Sequence, residues 1–326
     1  MDAAAFDELV RSLRSHAGLA AKADIGEVVA RLGLSGAPIA VGDDCAAIPD
    51  REGHLLFAIE GFISEFVAAD PWFAGWCGVM VNVSDIAAMG GRPIAVVDAI
   101  WSNGAGGACG VLEGMKAASD AYGVPIVGGH TNLRSQVSQL AVAVLGRAGA
   151  SLLTSFDAKP GEQLVAAIDH RGRYRETFSN WQTALEAPAS RLRADLELLP
   201  RIAERKLSRA AKDISQAGLA GTAIMLAESS GVAIDLDLDA IKPPPAVSLS
   251  RWLRSFPSFG FLLSVEQGCC REVLSMFDAR DIHAAIVGEI REGCEVTVNA
   301  GGRRAVLRDF GVDRLMGLGA LVGDLA

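Results

Sequence analysis

Apolar residues along this chain fall into two patterns, short unbroken runs and longer stretches at helical spacing, and their alternation predicts strands and helices in turn. The runs at 38–41, 55–59, 94–100, 124–127, 139–146, 163–168, 210–213, 258–265 and 284–290 read as strands. Residues 2–33 read as two amphipathic helices with Leu9, Leu13, Val28, Val29 and Leu32 as core contacts, and further helices are predicted over 107–122 and up to about 229. The organising stretch is 81–93, VNVSDIAAMGGRP, where Val81, Ile86 and Met89 mark a helix that Gly90-Gly91 and Pro93 end. The element order predicts an α/β (α+β) chain in two halves, 1–150 and 151–326, joined near 149–161.

The polar residues that interrupt this pattern fall at the ends of elements. Gly42-Asp43-Asp44 follows one apolar run and precedes another, Glu60 closes a strand, and Asp213 opens the stretch Asp213-Ile214-Ser215-Gln216-Ala217-Gly218-Leu219. Asp85 lies inside a helix of small residues, where a carboxylate calls for a partner and a cation is the obvious one. The bland alternatives are a turn that exposes Asp43 and Asp44 to water and a packed helix with one solvated acid. Gly128-Gly129-His130-Thr131-Asn132 places two glycines before polar side chains, a composition suited to close backbone approach by phosphate.

Composition narrows the functions available. The 326 residues are half hydrophobic and carry a formal charge of −9, which argues against general nucleic-acid binding, because that needs a basic face to neutralise phosphates. No apolar run approaches the roughly 18 residues of a membrane span, and Asp7 and Glu8 occupy the start where a leader would be basic, so a cytoplasmic location without membrane contact is expected. The six cysteines, Cys45, Cys77, Cys109, Cys269, Cys270 and Cys294, have no metal-ligand spacing and read as reduced thiols. In an acidic chain the loop His170-Arg171-Gly172-Arg173-Tyr174-Arg175 is conspicuous. Its arginine forks suit a phosphate or carboxylate, and Tyr174 and Trp181, with Asn180 nearby, suit a flat polar group; the alternative is a solvated surface loop.

Several spaced motifs together resemble the aminoimidazole ribonucleotide (AIR) synthase-related, PurM-like superfamily. Gly42-Asp43-Asp44-Cys45-Ala46-Ala47 resembles the GDDAA motif of thiamine-monophosphate kinase, and 81–93 resembles the NLSDIAAMGA motif shared by that enzyme and selenophosphate synthetase. Gly128-Gly129-His130-Thr131 resembles a GGHT motif, 213–220 a D-x-x-x-G-G-L-A helix start, and 258–263 an SGGLL strand, all in family order. The resemblance implies an N-terminal ATP-binding domain that dimerises through its sheet, a C-terminal α/β domain, and ATP with Mg²⁺ as cofactors. It implies metal ligands at Asp43, Asp44, Glu60, Asp85 and Asp213, and nucleotide contacts at Gly128, Gly129, Thr131, Asn132, Arg147, Ser215 and Gln216. Asp44, Asp85, His130 and Asp213 take the catalytic positions, and Arg171, Arg173, Tyr174, Arg175, Asn180 and Trp181 are the substrate candidates.

This chain departs from the kinase pattern at Glu60 and His130, where the kinase has aspartates, and at Gln216, where its second DISDG aspartate falls. It has no GGEDYEL-like segment, and it lacks the early reactive cysteine and lysine loop of selenophosphate synthetase. The expected activity is Mg-dependent transfer of a γ-phosphoryl group to an oxygen of a small polar or anionic metabolite. The alternatives are a catalytically silent nucleotide-binding dimeric scaffold, or thiamine-monophosphate kinase or selenophosphate synthetase proper. An NAD-dependent oxidoreductase is disfavoured, since no strand leads into G-x-G-x-x-G.

Overall fold

The computed structural model describes residues 1–34, 39–175 and 178–319. The chain forms two compact units, each assembled from separated segments: Asp44–Leu152 with Glu186–Glu204, and Met1–Asp43 with Leu153–Leu185 and the chain from Arg205 on.

The unit built on Asp44–Leu152 holds a five-stranded sheet in the order β1-β2-β5-β3-β4, from β1 (Ala46–Asp50), β2 (Gly53–Phe62), β3 (Arg92–Asn103), β4 (Ile126–Asn132) and β5 (Arg134–Ala148). Two long helices, α5 (Pro71–Ala88) and α6 (Gly104–Tyr122), cover one face. α5 starts where Asp70 accepts the Phe73 N–H at 3.2 Å, with Pro71 in the first turn. Helices α5 and α6 approach closely because glycines line their contact: a Cβ on Gly114 would lie 1.8 Å from the Trp72 carbonyl oxygen, and one on Gly75 2.0 Å from that of Val111. The strands are apolar on both faces, as pairing of Phe57 with Leu145 and of Ile59 and Val97 with Ala143 makes plain. Leu56, Ala58, Val96, Val142 and Val144 point to the helices and are buried, while Phe57, Ile59, Val97 and Leu145 on the other face are 48%, 66%, 39% and 37% exposed.

The other unit has a seven-stranded sheet in the order β15-β14-β10-β13-β6-β12-β9, comprising β6 (Gln163–Ile168), β9 (Ala210–Asp213), β10 (Ala233–Asp237), β12 (Gly260–Val265), β13 (His283–Arg291), β14 (Glu295–Ala300) and β15 (Arg303–Asp309). Helix α9 (Gly218–Ser230) packs on β9, β10, β12 and β14, and α11 (Cys270–Asp278) packs on β13 and β6. Every residue of β12 is buried. A small sheet in the order β11-β8-β7 joins β7 (Arg173–Tyr174), β8 (Asn180–Gln182) and β11 (Phe256–Pro257). The N-terminal helix α1 (Ala3–Arg14) contributes Phe6, Leu9, Val10 and Leu13 to the same core as Leu315, Met316 and Leu318.

Three local expectations change. Residues 39–41 form no strand, and Pro38 lies outside the described residues; Gly42, with φ +106°, bends the segment instead. The first 33 residues make three helical pieces rather than two, with α2 (Ala17–Ala20) and α3 (Asp24–Leu32) following α1. On α3 it is Ile25 and Val29 that pack inward, so Val28 and Leu32 stand 52% and 67% exposed rather than in the core. Among the described residues the cysteines are all free thiols, and no helix is long and apolar enough to cross a membrane.

Candidate active site

Within the unit of the five-stranded sheet, Asp85 lies on α5, and Glu60 and Asp98 lie on two of its strands. Asp85 is 6% exposed near the end of α5, one turn after Asn82, whose amide donates to the Gly78 carbonyl at 2.7 Å. Glu60 on β2 and Asp98 on β3 both pair with Val142 of β5, so the two carboxylates share one row and one face, on either side of an apolar residue. Asp98 was not singled out by motif, yet burial pushes its carboxyl pKa up. Its carboxylate lies over Gly129, where a Cβ would come within 2.6 Å of Oδ2. Gly129 is therefore required bare by its neighbour strand. The available sequence signal was an acid inside an otherwise apolar run, Ile94 to Ile100.

Gly128, Gly129, His130 and Thr131 are exposed along β4, the sheet's edge strand, and the His130 ring lies 6.0 Å from that of Trp101. Asn132 is half-buried and its Oδ1 accepts the Arg134 N–H at 3.0 Å. Asp44 is half-buried just before β1, and Arg147 is exposed on β5 in an ion pair with Asp50 at 3.0 Å.

The other unit carries Asp43 and Asp213. The Asp43 side chain is 2% exposed; it accepts the Ser155 N–H at 2.7 Å and the Ser155 hydroxyl, with Lys212 Nζ at 4.0 Å. Lys212 immediately precedes Asp213, the half-buried last residue of β9, whose carbonyl accepts from Thr222 Oγ1 at 3.5 Å. In the loop that follows, Ser215 is half-buried and its carbonyl accepts the Gly218 N–H at 2.8 Å, while Gln216 is exposed. Lys212 and Ser155 escaped sequence reasoning because neither belongs to a spaced motif; only the fold sets them beside Asp43.

The arginine-rich loop is partly built into its own unit. Arg171 binds the buried Asp169 through Nε at 2.8 Å, and the Trp181 indole, buried, donates to the Asp169 carbonyl at 3.0 Å. Asn180 is buried and donates to the Phe256 carbonyl at 3.1 Å. Tyr174 is half-buried edge-on to Trp181, hydrogen-bonded to Ser255 at 2.6 Å, with the Arg251 guanidinium 3.4 Å above its ring. Burial raises its phenol pKa. Arg173 is exposed and Arg175 half-buried, its N–H donating to the Asn180 carbonyl at 3.4 Å. The ladder continues through Trp252 to His170, whose ring lies 4.4 Å from that of His283. Burial, with His283 alongside, lowers the His170 pKa to about 4.

Among the described residues no three His, Cys, Asp or Glu side chains form a preassembled metal site. The candidate donors expected from the sequence, Asp43, Asp44, Glu60, Asp85 and Asp213, are carboxylates, whose oxygens suit a hard cation such as Mg²⁺ better than a softer ion. Asp43 and Asp213 lie in one unit and Asp44, Glu60 and Asp85 in the other.

Residues 42–148 match the AIR synthase related protein, N-terminal domain, and residues 173–301 match the corresponding C-terminal domain. The chain belongs to the AIR synthase-related family. An uncharacterized protein of Synechocystis sp. is 45% identical across 95% of this chain and 98% of its own length. A thiamine-monophosphate kinase of Pyrococcus horikoshii is 31% identical across 62% of this chain and 67% of its own. In three dimensions the chain is similar to T. maritima PurL complexed with ADP, at a TM-score of 0.71 and 18% identity, over 86% of this chain and 47% of that one. It thus spans about half the length of PurL. AaThiL complexed with AMPPCP and TMP matches at 0.64 and 19% identity, over 87% of this chain and 97% of that one. At these identities the structural likeness establishes the two-domain PurM-like α/β fold of this AIR synthase-related chain.

Proposed function

We propose that this AIR synthase-related protein is a Mg-dependent, ATP-using enzyme that transfers the γ-phosphoryl group to an oxygen of a small polar metabolite. The observation that carries the reading is Asp85: a carboxylate 6% exposed, in a helix whose neighbouring residues are almost all buried, within the stretch that matches the family. A charge in such a place is sustained by opposite charge. Asp44 and Glu60 are the further oxygen donors proposed in the same unit as Asp85, and Asp43 and Asp213 are the candidate donors carried by the other. Bound Mg²⁺ supplies charge neutralisation at the phosphate oxygens. Gly128 and Gly129 would admit the nucleotide to the backbone and Thr131 and Asn132 would offer hydrogen bonds, with Ser215 and Gln216 the polar candidates of the other unit. Arg147, paired with Asp50 on the Leu145 face of the sheet, lies on the face opposite Glu60 and drops out of the set. His130 takes the place of a carboxylate beside them. ATP-analogue and ADP complexes of the similarly folded proteins agree with this assignment.

On the substrate side, Trp181 and Asn180 are buried inside the unit and Arg171 is held by Asp169, so they serve as the frame. Arg173, Tyr174 and Arg175, which follow Arg171 in the same loop, are the side chains proposed to meet an anionic or polar acceptor. The exposed apolar face of Phe57, Ile59, Val97 and Leu145 supports a homodimer closed through the five-stranded sheet.

Calorimetry with ATP at saturating Mg²⁺ tests the nucleotide site. Asp85→Asn is expected to weaken binding at least about tenfold, a typical effect at metal sites, while the fold is retained. Equal affinity in the two proteins would overturn the assignment. A second reading, a nucleotide-binding scaffold without turnover, is favoured by His130 and Gln216, which stand where thiamine-monophosphate kinase has carboxylates. ADP release that rises on adding a metabolite acceptor would exclude it.

A further inference from the structure

The buried Glu228 does not belong to any motif, and its surroundings give it a role. Its side chain is fully enclosed near the end of α9, and its two oxygens accept the backbone N–H groups of Leu315 at 2.8 Å, Met316 at 3.0 and 3.1 Å, and Gly317 at 2.7 Å. Three successive amides converging on one carboxylate make an anion nest, and the bonds are charge-assisted. Arg314 closes the turn from the other side, its Nη2 donating to the carbonyls of Leu318 at 2.9 Å and Gly319 at 2.7 Å. The segment 314–319 is thereby held in one shape without a strand or helix of its own.

What that shape delivers is the Leu318 side chain. It is 6% exposed and fills the space over Gly42, where a Cβ would stand 2.2 Å from Leu318 Cδ1. Gly42, at φ +106°, is the residue before Asp43, so the turn that aims Asp43 is packed directly against the segment Glu228 holds. A second link runs from the same end of α9: Ser230 donates to the Ser155 carbonyl at 2.7 Å, and Ser155 in turn donates both its N–H and its hydroxyl to Asp43. Two of the supports of Asp43 trace back to residues 228–230.

We propose that Leu318 and Glu228 are positioning residues for Asp43, and that the segment 314–319 is a strap fixing the Gly42–Asp43 turn in the geometry required for metal-nucleotide binding. The consequence for binding rests on the reading of Asp43 as a metal ligand; the mechanical link does not.

The test separates the two. Leu318→Ala removes the contact with Gly42 and leaves the Glu228 nest intact. Amide hydrogen exchange should show the Ser155 N–H, which Asp43 accepts, losing protection by about tenfold or more relative to the Leu262 amide of the buried β12, with Leu318→Met restoring it. Mg-ATP affinity should fall by roughly 10- to 100-fold in Leu318→Ala, as is usual when a ligand's outer support is lost. Unchanged Ser155 protection in Leu318→Ala would overturn the strap. Lost protection with unchanged affinity in both Leu318→Ala and Asp43→Asn would keep the mechanical link and remove Asp43 from the metal site. Unchanged affinity in Leu318→Ala alongside weakened binding in Asp43→Asn would leave the metal reading standing and deny the strap its functional role.

Discussion

The two sheets of this protein solve the same problem differently. The seven-stranded sheet is covered by α9 and α11, and its central strands β6 and β12 are buried almost throughout. The five-stranded sheet is covered by α5 and α6 on one face only, and the other presents Phe57, Ile59, Val97 and Leu145 to solvent. Strands that are apolar on both faces are ordinarily buried on both. The difference teaches that the first sheet is complete within its own unit, whereas the second has a surface whose composition asks for another apolar surface.

The largest effect that sharpens this contrast should come from the closed sheet. Phe261 on β12 is fully buried, and Phe261→Ala should cost about 3–5 kcal/mol of unfolding free energy in urea titrations, with no change of oligomeric state. On the open sheet, Ile59→Glu is expected to do the reverse. At 66% exposure the side chain contributes little to its own unit, but a charge there should weaken self-association by about 100-fold, roughly 2–3 kcal/mol. Light scattering across a concentration series reads this directly. A wild-type protein that stays monomeric at micromolar concentration would break the comparison, because the open face would then need another explanation.

A smaller effect concerns the end of the closed unit, where the His170 ring lies beside that of His283 and edge-on to Trp252. Its pKa falls from the ordinary 6.5 to about 4 on folding, so its contribution to stability is whole above pH 6.5 and is lost as pH drops from 6.5 toward 4. His170→Phe keeps a flat ring and removes the proton. Its thermal midpoint should fall less than that of wild type between pH 7 and pH 4, and parallel curves would show that His170 does not govern the acid limb.

Strands with unmistakable apolar runs were legible in the sequence, down to the bounds of 163–168 and 210–213. Those of mixed composition, such as β10, β14 and β15, were not, because acids and arginines alternate there with the buried residues Ile234, Leu236, Val296 and Leu307. β4 runs through Gly128-Gly129, which read as a strand end; pairing with β3 outweighs the low strand propensity of glycine. In the candidate site, acids that sit in spaced motifs stood out at once. Ser155, Lys212 and Asp98 did not, since their meaning depends on a neighbour more than 25 residues away or on an adjacent strand. The substrate loop shows the opposite limit: charge density drew attention to Arg171, and only the fold reveals that Asp169 already engages it.

The core that unites α1 with Leu315, Met316 and Leu318 has a bearing on synthesis. Arg14 donates to the Val306 carbonyl across 292 positions of sequence, so α1 meets β15 only after the strand 292 positions on has been made. Until then the apolar stripe of Phe6, Leu9, Val10 and Leu13 lacks part of its native core. Contacts of such long range slow folding and leave nascent chains open to aggregation. The five-stranded unit also waits, for Glu197 and Glu204 to reach Arg92, but for a far shorter time. Translation should therefore pass through a species in which the five-stranded unit is folded while the segments of the other unit still await one another.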